Sequence, residues 1–333
     1  MLTLQKDKIL SITNSFENKK IAIIGDLMLD RYLWGSTTRI SPEAPVPIVD
    51  IIEESNRLGG SANVANNISS LGGLAYPIGI IGDDTNGKTL LDLMKDEHFN
   101  KDGIIKESNI PTTTKTRVIA NHQHVVRIDY ENRQTISEVS KNKLIDYVNK
   151  NINVFDVIII EDYNKGVVTK ELIREVTKIA LEYNVPITVD PKFDNFFEFK
   201  NVTVFKPNKK EIEGAMGIKI NDDTSLLNNM KIILERLNCN NVLLTRGEKG
   251  IALLEKNGEL TLINTHARNV ADVSGAGDTV ISTFTIALAS GATPKEAAFI
   301  ANYAAGIVCQ EIGVVPIKKE ILVNKLLKEI SNG

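Results

Sequence analysis

The stretch with the clearest chemical capacity is Asp272-Val273-Ser274-Gly275-Ala276-Gly277-Asp278-Thr279, followed at once by the helix-like run Val280 to Ala289. Small residues let backbone amides come close to a phosphate, and a helix beginning here points its free N–H groups and positive dipole end at it. Asp278 would stand at the edge of that anion hole. A carboxylate adds nothing to anion binding, but it can take the proton of a hydroxyl that attacks a γ-phosphate. Gly275, Ala276 and Gly277 would supply amides and Asp278 the base, which suggests phosphoryl transfer to an alcohol. A glycine turn that only caps a helix would look the same in isolation.

Four further segments could complete such a site. The apolar run Ile21–Ile24 ends in Gly25-Asp26-Leu27-Met28-Leu29-Asp30, which puts two carboxylates at the carboxyl end of a strand, where open α/β sheets bind ligands. Leu58-Gly59-Gly60-Ser61-Ala62-Asn63 opens a second helical run. Lys206-Pro207-Asn208-Lys209-Lys210-Glu211 follows a strand, and an Asn with Glu three positions on is also an ordinary capping box. Leu244-Thr245-Arg246-Gly247-Glu248-Lys249-Gly250 closes another strand with a Thr-x-Gly-x-x-Gly turn that a plain hairpin would share. No G-x-G-x-x-G follows the first strand, which weakens a dinucleotide-dehydrogenase reading.

The elements that must position these segments alternate. Short β-branched runs at Ile21–Ile24, Tyr76–Ile81, Val157–Ile160, Ile187–Val189, Val202–Phe205, Val242–Thr245 and Ile251–Leu254 are separated by helix-period stretches. Unbroken apolar strands with intervening helices predict an α/β, doubly wound, mostly parallel sheet covered by helices on both faces. Two stretches fit poorly: Val46 to Glu53, and Thr112 to Asp129 with alternating Thr116, Val118, Val126 and Ile128. They read as a small sheet outside the main one, or as an extension of its edge, and an exposed edge can be managed by pairing with a second copy. Lys318 to Ile330 reads as an amphipathic helix docked on the body.

At 333 residues with 42% hydrophobic and 24% charged residues, the chain can bury a sizeable core as one domain. A net charge of −3 with no long Lys/Arg run argues against a nucleic-acid surface, so an anionic ligand must be held locally. Cys239 and Cys309 have no metal-like spacing, and neither a signal-peptide core nor a window approaching ~20 apolar residues occurs. A cytoplasmic protein without a membrane or nucleic-acid partner is expected. The histidines His98, His122, His124 and His266 show no metal or triad context.

Taken together, Gly59, Gly60 and Asn63, then Asp272, Gly275, Ala276, Gly277 and Asp278 resemble the paired signatures of the ribokinase-like (PfkB) sugar kinases. Thr283 departs from that pattern, which usually has Gly or Ala there. The resemblance implies that Asp30, Gly59, Gly60 and Asn63 line the sugar pocket. It implies that Asn208 and Glu211 organise Mg²⁺, its waters and the ATP phosphates, and that the Thr245, Gly247 and Gly250 turn contacts the nucleotide. Glu211 would hold the metal through water. Asp272 matches an acidic position that serves a K⁺ site in some relatives. Asn302 to Gly313 would border the adenine, with Tyr303 and Ile307 equally readable as core. A β-lid over the sugar site, here about 45–54 and 112–129, often clasps a second lid in a homodimer.

A closer likeness, to the kinase domain of bacterial ADP-heptose synthesis enzymes, runs through Gly25 to Tyr32, Arg39 to Pro47 and Gly59 to Ala65. It continues in Thr114-Lys115-Thr116-Arg117, Arg127-Ile128-Asp129, Glu161-Asp162-Tyr163-Asn164-Lys165-Gly166 and Asp190-Pro191-Lys192. That subfamily phosphorylates the anomeric O1 of D-glycero-β-D-manno-heptose 7-phosphate. A substrate already carrying phosphate needs cations at the sugar end, and Arg39, Lys115, Arg117, Lys165 and Lys192 are available, with Arg117 and Lys192 the main candidates. Fused members carry a nucleotidyltransferase domain after the kinase; this chain stops where it would begin, so a stand-alone kinase is expected. Rival readings are the same fold acting on fructose, ribose or fructose 6-phosphate, and a catalytically silent ligand-binding protein.

Overall fold

The computed structural model describes residues 4–95, 98–121, 123–132, 134–265 and 271–332. The chain begins with α1 (Lys6–Asn14), β1 (Lys20–Gly25), β2 (Leu27–Ile40), β3 (Pro47–Gly60), α2 (Ser61–Ser70), β4 (Leu74–Gly82) and α3 (Thr85–Leu93). It continues through β5 (Ile104–Glu107), β6 (Thr114–Ala120), β7 (Gln123–Tyr130), α4 (Glu138–Asn151), β8 (Val157–Glu161), α5 (Lys170–Glu182) and β9 (Ile187–Asp190). The remainder is β10 (Val204–Phe205), α6 (Lys209–Met216), α7 (Asp223–Leu237), β11 (Asn241–Thr245), β12 (Ile251–Glu255), β13 (Leu260–Ile263), α8 (Ala276–Ala289), α9 (Pro294–Val308) and α10 (Lys319–Asn332).

Nine strands form one sheet in the order β13-β12-β11-β10-β9-β8-β1-β4-β5. The pairs from β11 to β5 are parallel, whereas β12 is antiparallel to both β11 and β13, so among the described strands of this sheet β12 alone runs against the rest. Alternate residues of one strand feed opposite cores. Ile21 and Ile23 of β1 pack with α1, α2, α8, α9 and α10, whereas Ala22 and Ile24 pack with α4, α5 and α7. Both faces are therefore dry, which is why the strands read as unbroken apolar runs. The expected doubly wound α/β architecture is the one observed.

The small sheet is separate, with strand order β3-β2-β6-β7. It is larger than the two expected stretches, because residues 27–40 form a long strand paired with β3 on one side and β6 on the other. Its outer parts are solvent-facing and carry exposed Ile40, Val46, Ile51, Ile52, Ile128 and Tyr130. Elsewhere, Val202 lies outside the two-residue β10, and β5 and β13 are strands that the apolar runs do not predict. Among the described residues no helix is long and apolar enough to cross a membrane.

The result of this topology is a single edge where parallel strands end. Gly25, Glu161, Asp190, Phe205 and Thr245 are the last residues of β1, β8, β9, β10 and β11, and the loops leaving them carry the candidate chemistry.

Candidate active site

The glycine-rich segment starts α8 as expected. Gly275 is the residue before the helix, at φ +78°, in the left-handed region that glycine enters without strain. The Ala276 amide donates to the Val273 carbonyl at 3.2 Å, so it is not free for a ligand. The amides of Gly275, Gly277 and Asp278 have no partner among the described residues and remain the anion donors. A Cβ on Gly277 would lie 3.5 Å from Lys206 Nζ, which places this amide beside a buried cation.

Asp278 is 6% exposed. Its two oxygens accept from two directions: Asn63 Nδ2 donates to Oδ2 at 2.7 Å and Tyr163 Oη donates to Oδ1 at 2.8 Å. Burial pushes its carboxyl above the ordinary range, and these two hydrogen bonds pull it partly back. Asn63 is aimed by the Gly59-Gly60 corner, where β3 turns into α2. Gly60 has φ +57°, and a Cβ there would meet the Asp26 carbonyl at 2.5 Å.

Beside Asp278 lie Glu161 and Asp190, whose ligand atoms fall within 4.8 Å of one another and of Asp278. Lys206 Nζ, 3% exposed, contacts Asp190 Oδ2 at 2.7 Å. Burial, then the charges of Asp190 and Asp278, push the Glu161 carboxyl well above its usual range. Sequence reading did not assign roles to Glu161, Asp190, Lys206 or Tyr163. The signal available for the two acids was the one used for Asp26 and Asp30, a carboxylate at the carboxyl end of a parallel strand.

On the small-sheet side, Arg117 Nη1 donates to Asp30 Oδ1 at 2.6 Å, and Gly59 packs so closely on Asp30 that a Cβ would fall 2.7 Å from Oδ2. Lys115 Nζ sits over the Tyr163 ring, 5.1 Å from its centroid, and has no ion pair among the described residues. Burial lowers the Lys115 pKa, with the Asp30 charge opposing. Lys165 pairs with Glu131 at 2.6 Å. Arg39 is not brought to the site: it pairs with Asp50 on the exposed outer part of the sheet. Asp26 accepts from the amides of Tyr163, Lys165 and Val167, so it orders the loop after β8.

On the far side, Asn208 and Glu211 form the capping box at the start of α6. Glu211 Oε2 accepts from the Asn208 amide at 2.8 Å and Oε1 contacts Lys192 Nζ at 2.5 Å. Burial lowers the Lys192 pKa, but Asp190 and Glu211 outweigh it and hold the ammonium charged. A cavity of about 500 Å³ collects Tyr163, Lys192, Lys206, Asn208, Gly277 and Asp278. A second, of about 520 Å³, shares Thr245, Gly247 and Gly277 with it and extends between Gly250, Ala276, Asn302, Gly306 and Cys309. The largely apolar second lobe suits a purine and the cationic first lobe a phosphate chain. Tyr303 belongs to the core. Asp272 accepts from the Ser274 amide at 2.9 Å and the Gly313 amide at 3.0 Å. Thr283 is fully buried with its hydroxyl unpartnered. His122 and His266 lie outside the described residues, and His124 is exposed.

A family profile described as pfkB family carbohydrate kinase matches residues 18–320. The chain belongs to the pfkB family. Among curated relatives, Bifunctional protein HldE of Geobacter sulfurreducens is 41% identical over 304 residues, covering 91% of this chain and 62% of the relative. The protein of the same name from Trichlorobacter lovleyi is 43% identical over 294 residues, covering 88% and 60%. The chain thus spans about three fifths of the length of these relatives. A solved Arabidopsis thaliana ribokinase complexed with ribose and ATP superposes with TM-score 0.74 at 18% identity, covering 93% of this chain and 99% of the other. Escherichia coli phosphofructokinase-2 in complex with potassium gives 0.77 at 17%, covering 95% and 99%. At those identities the likeness is one of fold.

Within this pfkB chain, the two signature segments meet physically through the Asn63–Asp278 hydrogen bond. Asp30, Gly59 and Arg117 lie together, Asn208, Thr245 and Gly247 line a cavity with Asp278, Gly250 lines the adjoining cavity with Thr245 and Gly247, and Glu211 is joined to Asn208 by the helix cap.

Proposed function

We propose that this chain transfers the γ-phosphoryl group of ATP to the anomeric O1 of D-glycero-β-D-manno-heptose 7-phosphate, forming the 1,7-bisphosphate used in ADP-heptose and lipopolysaccharide precursor synthesis. The observation that carries the reading is Asp278, buried, oriented by Asn63 and Tyr163, and placed beside open amides at the start of α8. The subfamily motifs, and relatives about 40% identical over most of the chain, support the choice of sugar.

The chemistry follows from these positions. The sugar O1 hydroxyl would give its proton to Asp278 as it attacks, while the Gly275, Gly277 and Asp278 amides offset charge on the transferring group. Asp30, held by Arg117, would accept from sugar hydroxyls. Lys115 would face the substrate's own phosphate, since a half-buried ammonium with no ion pair among the described residues gains from an arriving dianion. ATP would lie along the sheet edge with its base between Gly250 and Cys309. Magnesium accompanying ATP would offset the phosphate charge; Glu211 offers an oxygen for it through water once Lys192 turns to the phosphates. Asp272 joins the 272–274 turn to Gly313, which a K⁺ ion beside it would also do. The small sheet would act as the lid that excludes water, and its exposed apolar outer face would pair with that of a second copy in a homodimer.

The test is ATP turnover with Mg²⁺ on heptose 7-phosphate, fructose 6-phosphate, fructose and ribose, reading the product's phosphate position by ³¹P NMR. The expected result is a bisphosphate from heptose 7-phosphate alone, with the new phosphate on C1. Turnover on another sugar instead would overturn the heptose reading, and none on any would favour a silent binding protein.

A further inference from the structure

We propose that Glu161 and Asp190 form a preformed divalent-cation site on the carboxyl edge of the large sheet, filled before nucleotide arrives and distinct from Glu211. The two residues are direct register partners at the ends of the parallel strands β8 and β9. They are 0% and 4% exposed, and three of their four carboxylate oxygens, both of Glu161 and Oδ1 of Asp190, have no hydrogen-bond partner among the described residues. A buried carboxylate with both oxygens open is costly unless something positive meets it.

The surroundings do not supply that charge. Glu161, Asp190 and Asp278 cluster with one contacting ammonium among the described residues, Lys206 on Asp190 Oδ2, so with all three ionised two negative charges are in excess. Lys192 is turned to Glu211. Both oxygens of Asp278 already accept from Asn63 and Tyr163. The free lone pairs therefore converge from Glu161 and Asp190, and one divalent ion cancels the excess. Ligand atoms within 4.8 Å of one another can both reach a single ion with small side-chain movement, since octahedral magnesium–oxygen distances of about 2.0–2.1 Å span about 4.2 Å across. An all-oxygen set selects a hard cation such as Mg²⁺ or Mn²⁺, completed by water. Glu211 offers less: one oxygen is on Lys192 and the other closes the helix cap.

The assignment does not depend on which sugar is the acceptor, so it is tested without sugar or nucleotide. Mn²⁺ alone is titrated into the full chain and free ion is read by electron paramagnetic resonance. The expected result is one bound Mn²⁺ in the wild type, weakened at least about tenfold in Glu161→Gln and in Asp190→Asn, and unchanged in Glu211→Gln. Thermal unfolding gives a second readout: Mg²⁺ raises the melting temperature of the wild type but not that of Glu161→Gln. Because the Gln amide can donate to Asp190, metal-free Glu161→Gln melts no lower than metal-free wild type. Absence of Mn²⁺ binding by the wild type without nucleotide overturns the proposal, as does wild-type binding by Glu161→Gln.

Discussion

Tyr163 Oη donates to Asp278 Oδ1 at 2.8 Å, linking the loop after β8 to the first turn of α8 across 115 residues of sequence. Asn63 holds the other oxygen, so the carboxylate has little freedom to rotate. Removing the phenol hydroxyl takes away a hydrogen bond to a charged group, generally worth about 1.5–3 kcal/mol. The ionised form loses a donor, so the Asp278 pKa climbs further above the usual carboxylate range. In Tyr163→Phe the acid limb of the kcat/KM profile should therefore move to higher pH, and activity near neutrality should fall about tenfold. An unmoved limb in a pH–rate profile would show that Tyr163 does not set the base.

The wild-type profile has a sign as well. Asp278 must be ionised to accept a proton, and burial raises its pKa. Activity should be lost on acidification at a pH above that of an exposed aspartate, whose pKa is about 3.9. Steady-state kinetics from pH 4.5 to 8 would show it.

Two glycines separate stability from binding. At Gly60 a Cβ would meet backbone oxygen at 2.5 Å, at φ +57°. Gly60→Ala should cost at least about 1–2 kcal/mol in urea unfolding and disturb Asn63. At Gly277 the nearest atom to a Cβ is the tip of Lys206 at 3.5 Å. Gly277→Ala should leave stability unchanged or raise it by up to about 1 kcal/mol, because Ala suits a helix. Its methyl would stand in the anion cradle, so turnover should fall despite the intact fold.

The cations of the sugar side can be ranked. Lys115 lies half-buried with no ion pair among the described residues, whereas Arg39 is exposed and already joined to Asp50. Lys115→Met should raise the KM of a phosphorylated sugar at least about tenfold with little change in the KM of ATP. Arg39→Ala should change neither; equal effects in both variants would contradict the ranking.

The layered architecture was legible because strands buried on both faces must be apolar throughout, as in Ile21–Ile24 and Val157–Ile160. Residues 27–40 escaped notice because half-exposed strands of the small sheet mix Arg31, Trp34, Gly35 and Ser36 with few periodic apolar positions. Asp278 and Asn63 stood out through local glycine patterns. Glu161, Asp190 and Lys206 did not, since their relation exists only once β8, β9 and β10 are aligned side by side. The Asn208–Glu211 pattern was ambiguous for a physical reason: the capping box is present, and the same Glu211 faces the cationic lobe.

The most direct test of the account is Asp278→Asn, an isosteric change that removes the base. Binding of ATP and heptose 7-phosphate would be measured by calorimetry, and phosphoryl transfer in a single turnover by rapid quench. Near wild-type affinity for both ligands is expected, with transfer slowed at least ~10²-fold. Transfer at a near wild-type rate would contradict it.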